Sequence, residues 1–257
     1  MTSTTGTDGG VRTVIDGGIG TISFYHPQSN SLPGRVLAAL ATNITECAHD
    51  PAVNVLVLRS DGDRAFCAGA SFDELLEIND TAAGQAFFMG FAHVINAMRL
   101  CPKFIIARVQ GKAVGGGVGL AATADYTLAR DSAAIKLSEL AVGIGPFVVG
   151  PAVERKIGHA AFGALAIDSG TWRSANWARE KGLYGDTFAD NTALDSAVDN
   201  LAAELAVCSP AAMAAIKQIL WQGTENWDTL LAQRAEISGQ LVVSDFAVNA
   251  IQKFKNR

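Results

Sequence analysis

Glu139 stands in the run Lys136-Leu-Ser-Glu-Leu-Ala-Val-Gly-Ile-Gly-Pro-Phe147, with Leu137, Leu140, Ala141 and Val142 as its neighbours. A carboxyl group buried among such residues is costly to ionise, so its pKa rises toward neutrality, where it can take and return a proton. Two upstream segments are built of small residues. In Arg64-Ala-Phe-Cys-Ala-Gly-Ala-Ser71, the stretch Ala68, Gly69, Ala70 lets a ligand approach bare backbone N–H groups. In Gln110-Gly-Lys-Ala-Val-Gly-Gly-Gly-Val-Gly-Leu120, the glycines at 115, 116, 117 and 119 leave the donors of a helix start unshielded, which suits a phosphate or an oxyanion. Singly, each segment has a plainer reading: a tight turn, a packing glycine run, a salt-bridged glutamate.

The elements that must position these residues are legible as patterns. Val11–Ile15 and Ile19–Tyr25 flank Asp16-Gly17-Gly18 and predict a hairpin. An amphipathic helix is expected over 34–48, and the unbroken apolar run at 53–58 fits a strand covered on both faces. A helix over 83–99 follows, then a buried strand at 104–109 and short strands at 124–129 and 133–137. This alternation predicts an α/β core of parallel strands over 11–190. Beyond it, helices are expected over 192–207, 210–221 and 228–239, followed by a short tail, so 191–257 is expected to form a helical C-terminal subdomain. Ser209-Pro210 is a cap followed by a first-turn proline. The Phe87, Phe88, Phe91 stripe fits a helix face turned to the core.

Bulk properties exclude several classes. The 257 residues are 49% hydrophobic and 18% charged, enough for one sizeable core, and the net charge of -5 offers no broad field for nucleic acid. No apolar run reaches membrane-spanning length. Cys47, Cys67, Cys101 and Cys208 are scattered without metal spacing, and the four histidines show none either, so the cysteines are expected as core residues in a reducing compartment and no metal site is expected. Residues 1–10 lack a signal-peptide h-region and are expected to be a disordered tail, in a soluble, cytoplasmic protein. Gly117-Val-Gly119-Leu-Ala-Ala122 meets the loose dinucleotide-binding pattern, with Glu139 at ribose-binding distance, but only about two helical turns fit before the next strand.

The order and spacing of the three segments resemble the crotonase (enoyl-CoA hydratase/isomerase) superfamily, over nearly the whole chain. The resemblance implies a spiral core of ββα units. It also implies a thioester oxygen held by the backbone N–H groups of Ala70 and Gly116, with Ala68, Gly69, Gly115, Gly117, Gly119, Pro146 and Phe147 around the substrate. Coenzyme A would enter only as the carrier of the acyl group, with no permanently bound cofactor, and Lys253 and Lys255, with Arg257, would meet its phosphates. Trimers or dimers of trimers built through the helical tail are the family habit, and Trp221, Trp227, Leu241 and Phe246 could supply the contact or fold onto their own core.

The chain departs from the pattern in two places. Hydratases of the family carry two glutamates, and the first falls here on Gly119, twenty positions before Glu139. Ser71 stands where an aspartate is common. A lone acid favours moving a proton between Cα and Cγ, so 3-enoyl- to 2-enoyl-CoA isomerisation is the expected activity. Hydration is the alternative, and an acyl-CoA hydrolase or decarboxylase of the same fold, a non-catalytic CoA-binding protein and a dinucleotide-dependent oxidoreductase follow. An acid at 119 is expected to favour hydration wherever the pocket leaves it room.

Overall fold

The computed structural model describes residues 8–255. The hairpin forms as expected: β1 (Gly10–Asp16) and β2 (Ile19–Tyr25) pair antiparallel around Gly17 and Gly18, both at positive φ. Asp8 and Gly9 are also placed, their carbonyl oxygens accepting from the Arg35 guanidinium, and Gly9 is buried. The expected tail therefore gives way to structure by Asp8; residues 1–7 lie outside the described chain, as does Arg257.

After α1 (Gly34–His49) the chain repeats one move. Strand β3 (Val55–Ser60) leads to β4 (Ala65–Cys67) and to helices α2 (Phe72–Glu77) and α3 (Thr81–Leu100); β5 (Ile105–Val109) leads to β6 (Lys112–Val114) and α4 (Gly116–Thr123). A third turn runs through β7 (Tyr126–Arg130), β8 (Ile135–Lys136), a 3-10 turn (Glu139–Val142), α5 (Gly150–Ile157) and α6 (His159–Ile167). The first strand of each turn joins a large sheet, ordered β1-β2-β3-β5-β7-β9, and the second joins a small one, β4-β6-β8. Past the hairpin every pairing between these strands is parallel. Strand β5 is buried at all five residues, as a strand covered on both faces should be.

The second half follows as α7 (Ala175–Glu180), β9 (Asp186–Phe188), α8 (Asn191–Ala206), α9 (Pro210–Leu220), α10 (Trp227–Val242) and α11 (Asp245–Lys255). The short tail expected after 239 is taken up by the end of α10 and by the amphipathic helix α11, which buries Ala247 and Ile251. These helices are built into the core. The helix α8 lays Leu194, Val198, Ala202 and Ala206 on the large sheet, forming a second apolar cluster with Val55, Val57, Ile106 and Leu128. Ser209 caps α9 through the Ala212 N–H, with Pro210 in the first turn.

Helix α10 returns to α3 so closely that the two backbones touch. A Cβ on Gly84 would lie 2.8 Å from the Gly239 Cα, and one on Gly239 would lie 2.5 Å from the Gln85 N. Trp227 is buried within its own chain, while Phe246 is 67% exposed. Cys47, Cys67 and Cys101 are buried free thiols as expected, but Cys208 is exposed beyond the end of α8.

Candidate active site

The three parallel strands of the small sheet end side by side, and each hands over one chemistry-bearing segment. From β4 comes Ala68-Gly69-Ala70, from β6 Gly115-Gly116, and from β8 Ser138-Glu139. The carboxyl ends of parallel strands are where open α/β sheets place their ligands, because loops diverge there and helix N-termini point back. All five of Ala68, Gly69, Ala70, Gly115 and Gly116 line one cavity with Glu139.

Two N–H groups in that cavity, those of Ala70 and Gly116, meet no acceptor among the described residues. Leu32 and Ala70 form an isolated parallel bridge in which Leu32 N–H donates to the Gly69 oxygen (2.8 Å) and Ser71 N–H donates to the Leu32 oxygen (3.4 Å). That pattern turns the N–H of Ala70 itself away from Leu32, toward the end of β6. Gly116 opens α4, so its N–H precedes any intrahelical acceptor and lies at the positive end of the helix. The two arms touch: a Cβ on Gly69, whose φ is +90, would sit 3.0 Å from the Val114 oxygen and 3.7 Å from the Gly116 N.

Gly115 links these donors to the acid. Its backbone (φ 51, ψ −115) is open only to glycine, and its N–H donates to the Lys136 oxygen at 2.9 Å. A Cβ there would lie 2.9 Å from Glu139 Oε1, so the missing side chain is what lets the carboxylate approach the Gly115-Gly116 backbone. Glu139 begins the 3-10 turn, closed by the N–H of Ile144 donating to the Glu139 oxygen at 3.0 Å and by Gly143 at φ 79. Its Oε2 is sealed from solvent and has no hydrogen-bond partner. Although the residue as a whole keeps partial exposure, the titration is set by the carboxylate's own surroundings. Desolvation pushes its pKa up to about 7, partly offset by a hydrogen bond from its own backbone N–H.

The remaining walls are apolar: Phe72 and Leu75 from α2, Phe88 and Phe91 from α3, then Val142, Ile144, Gly145, Pro146, Phe147, Val148 and Val149. Phe88 and Phe91 belong to the core, as expected, and also face the cavity, while Phe87 packs edge-on against both. Ser138 and Ser238 are the other polar side chains on the lining. Ser238 comes from α10, 99 residues past Glu139 in the chain, and no local pattern marks it.

Other expected residues fall elsewhere. Gly117 and Gly119 lie inside α4, off the cavity; a Cβ at 117 would strike the Cys67 Cβ at 2.6 Å, and one at 119 would strike Val149 Cγ1 at 2.5 Å. The first-acid position is therefore closed by packing, and the condition on which an acid there was expected to favour hydration, room in the pocket, is not met. These glycines serve the approach of α4 to its neighbours, and α4, at eight residues, is too short for the dinucleotide reading. Lys255 Nζ pairs with Asp73 Oδ1 at 2.5 Å, bracing α11 against α2, where Phe254 also meets Phe72 edge-on. Lys253 stands exposed on α11.

The sequence matches the family model for enoyl-CoA hydratase/isomerase over residues 14–256. The chain belongs to that family, the crotonase superfamily, and is an acyl-CoA enzyme of it. It is 31% identical over 208 residues to 2,3-dehydroadipyl-CoA hydratase of Escherichia coli (strain K12), covering 76% of this chain and 75% of the relative. It is 26% identical over 254 residues to the short-chain-enoyl-CoA hydratase of Clostridium acetobutylicum, covering 94% and 96%. The fold superposes on the crystal structure of an enoyl-CoA hydratase from Mycobacterium avium with a TM-score of 0.83, at 25% identity and 96% coverage of both chains.

Proposed function

We propose that the enzyme isomerises 3-enoyl-CoA thioesters to 2-enoyl-CoA, with Glu139 as the single proton carrier and the N–H groups of Ala70 and Gly116 holding the thioester oxygen. The ionised carboxylate takes a proton from C2. The C–H electron pair moves into a dienolate whose charge rests on the thioester oxygen, where two fixed donors meet it without reorganisation. The same carboxyl group returns the proton to C4, leaving the double bond between C2 and C3. Proton and electrons balance with no other reactant.

One observation carries this reading: among the described residues, Glu139 is the only ionisable side chain on the cavity lining, and packing against Val149 closes the position where a second acid would stand. Its pKa of about 7 suits both halves of the shuttle, since a group that must accept and donate in turn works best near the ambient pH. Hydration is the second reading, favoured by the hydratase names of the relatives and by Ser138 and Ser238, which offer a water polar contacts.

The test is turnover on 3-enoyl-CoA and 2-enoyl-CoA side by side, over several chain lengths, with products separated and free thiol monitored. Isomerisation predicts 2-enoyl product from the first substrate and little 3-hydroxyacyl product from the second. A 3-hydroxyacyl product formed faster than the double bond migrates establishes the hydratase instead, and released thiol would point to a hydrolase.

A further inference from the structure

Ala70 and Gly116 act as a pair only if their N–H groups keep one separation, yet the ladder behind them is irregular. Strands β4 and β6 pair Ala65 with Lys112 and Cys67 with Ala113, so two steps on one strand meet a single step on the other. A bulge bends its strand and breaks the ladder locally, which leaves the register there weakly specified. It lies just before both donor segments. Something beyond the ladder has to hold it.

Two buried carboxamides meet at that point. Asn30 donates through Nδ2 to the Asp61 oxygen at 2.9 Å and to the Ala65 oxygen at 3.0 Å, while its Oδ1 accepts from the His26 N–H at 3.1 Å. Gln110, at the turn from β5 to β6, donates through Nε2 to Ser60 Oγ at 2.9 Å and reaches the same Ala65 oxygen at 3.2 Å. Amides from separate parts of the chain thus converge on the carbonyl at which the register slips. Asn30 also shapes its own segment, because its backbone sits at φ 55, a conformation asparagine adopts more readily than most residues with a Cβ. The turn lays residues 29–32 along the first donor arm: the Ala68 N–H donates to the Ser29 oxygen at 3.1 Å, beside the Leu32 contacts that turn the Ala70 N–H away.

We propose that Asn30 and Gln110 are positioning residues for the oxyanion pair, pinning the Ala65 carbonyl and through it the separation of the Ala70 and Gly116 N–H groups. Both lie off the cavity lining, so they act through the backbone and not on the substrate. The proposal rests on the assignment of those two N–H groups to the thioester oxygen.

Butyryl-CoA labelled with ¹³C at the thioester carbonyl has no double bond to move and reports the donors directly, since a hydrogen-bonded carbonyl stretches at lower frequency. Isotope-edited infrared spectra of the bound ester should show that downshift in the wild type. Asn30→Gly keeps the positive φ and removes the three side-chain hydrogen bonds; Gln110→Met keeps the length and removes the donor. In each, the downshift should shrink and kcat per folded molecule fall about a hundredfold, because a misplacement of about 1 Å costs roughly that factor. KM should change little, since the oxyanion contact is strongest in the transition state. A wild-type downshift that survives with wild-type kcat in both variants overturns the positioning role alone, even if both unfold more easily. No downshift in the wild type overturns the donor assignment, and this proposal with it. Should neither variant fold, native-state amide exchange on the wild type decides. Ala68 and Leu32 amides that exchange only through global unfolding support a fixed brace, and their exchange through a local opening overturns it.

Discussion

Two buried carboxylates in this molecule have opposite surroundings. Asp125, between α4 and β7, is fully engaged. Its Oδ2 accepts from Lys217 Nζ at 2.8 Å and from the Ile105 N–H at 2.8 Å, and its Oδ1 accepts from the Trp221 indole at 3.1 Å. Glu139, at the end of the small sheet, keeps Oε2 sealed and without a partner. The paired acid fastens α9 to the sheet. The other is held in a state that the fold does not satisfy, and an unmet hydrogen-bonding capacity is what a substrate can complete. Under the proposed function, support and chemistry are divided between them: the same functional group, buried twice, is spent once on rigidity and once on reactivity.

The comparison is broken most directly at Glu139. Glu139→Gln keeps the shape but cannot accept a proton, and acid–base help is worth about a hundred- to ten-thousand-fold. As the sole carrier its loss should reach the upper end, roughly 5 kcal/mol of barrier or more. Binding of a CoA ester should survive, while exchange of the substrate C2 proton with deuterated solvent, followed by NMR, should cease. Exchange near the wild-type rate would make Glu139 a structural acid and erase the contrast.

Asp125→Ala should instead cost stability, about 3–5 kcal/mol, because it leaves the Lys217 ammonium, 2% exposed, without a counter-charge. Denaturant unfolding measures the loss, and turnover per folded molecule should stay at the wild-type level. A variant that unfolds normally but turns over poorly would place Asp125 with the chemistry.

The smallest expected effect sharpens the electrostatics. The Glu139 pKa is raised from 4.5 to about 7 on folding. Between those values the unfolded chain gives up the proton first, so wild-type stability falls as pH rises through that window and levels off above it. Glutamine has nothing to lose. Relative to wild type, Glu139→Gln should therefore gain roughly 3 kcal/mol of stability between pH 4 and pH 8. Equal pH dependence in the two proteins would show that the carboxylate is solvated in solution. In the active enzyme the same ionisation predicts kcat/KM rising with pH through about 7.

Much of this site was legible in the residue order. Glu139 announced itself by an apolar neighbourhood, and the hairpin and buried strands by alternation and turn chemistry. The glycines were readable as a group but not individually. Gly115 and Gly116 face the cavity whereas Gly117 and Gly119 face Cys67 and Val149, a distinction set by how α4 packs and by nothing local. Ser238 and the Lys255–Asp73 pair depend on helices that return across the fold, so the sequence separation of the partners hides them. Phe88 and Phe91 are buried in the core as their spacing indicated, and they also line the cavity, because a helix face turned toward a cavity has the same period as one turned toward a core.

The touching backbones of α3 and α10 bear on how such a pocket changes over generations. Phe88 and Phe91 ride on one helix and Ser238 on the other, and the distance between these walls is fixed where Gly84 meets Gly239. Neither glycine touches the cavity. A single methyl group at either position would have to wedge the helices apart, shifting the wall without altering any residue that lines it. Substrate range in this enzyme can therefore drift through a remote hinge, and two relatives with identical linings need not accept the same acyl group.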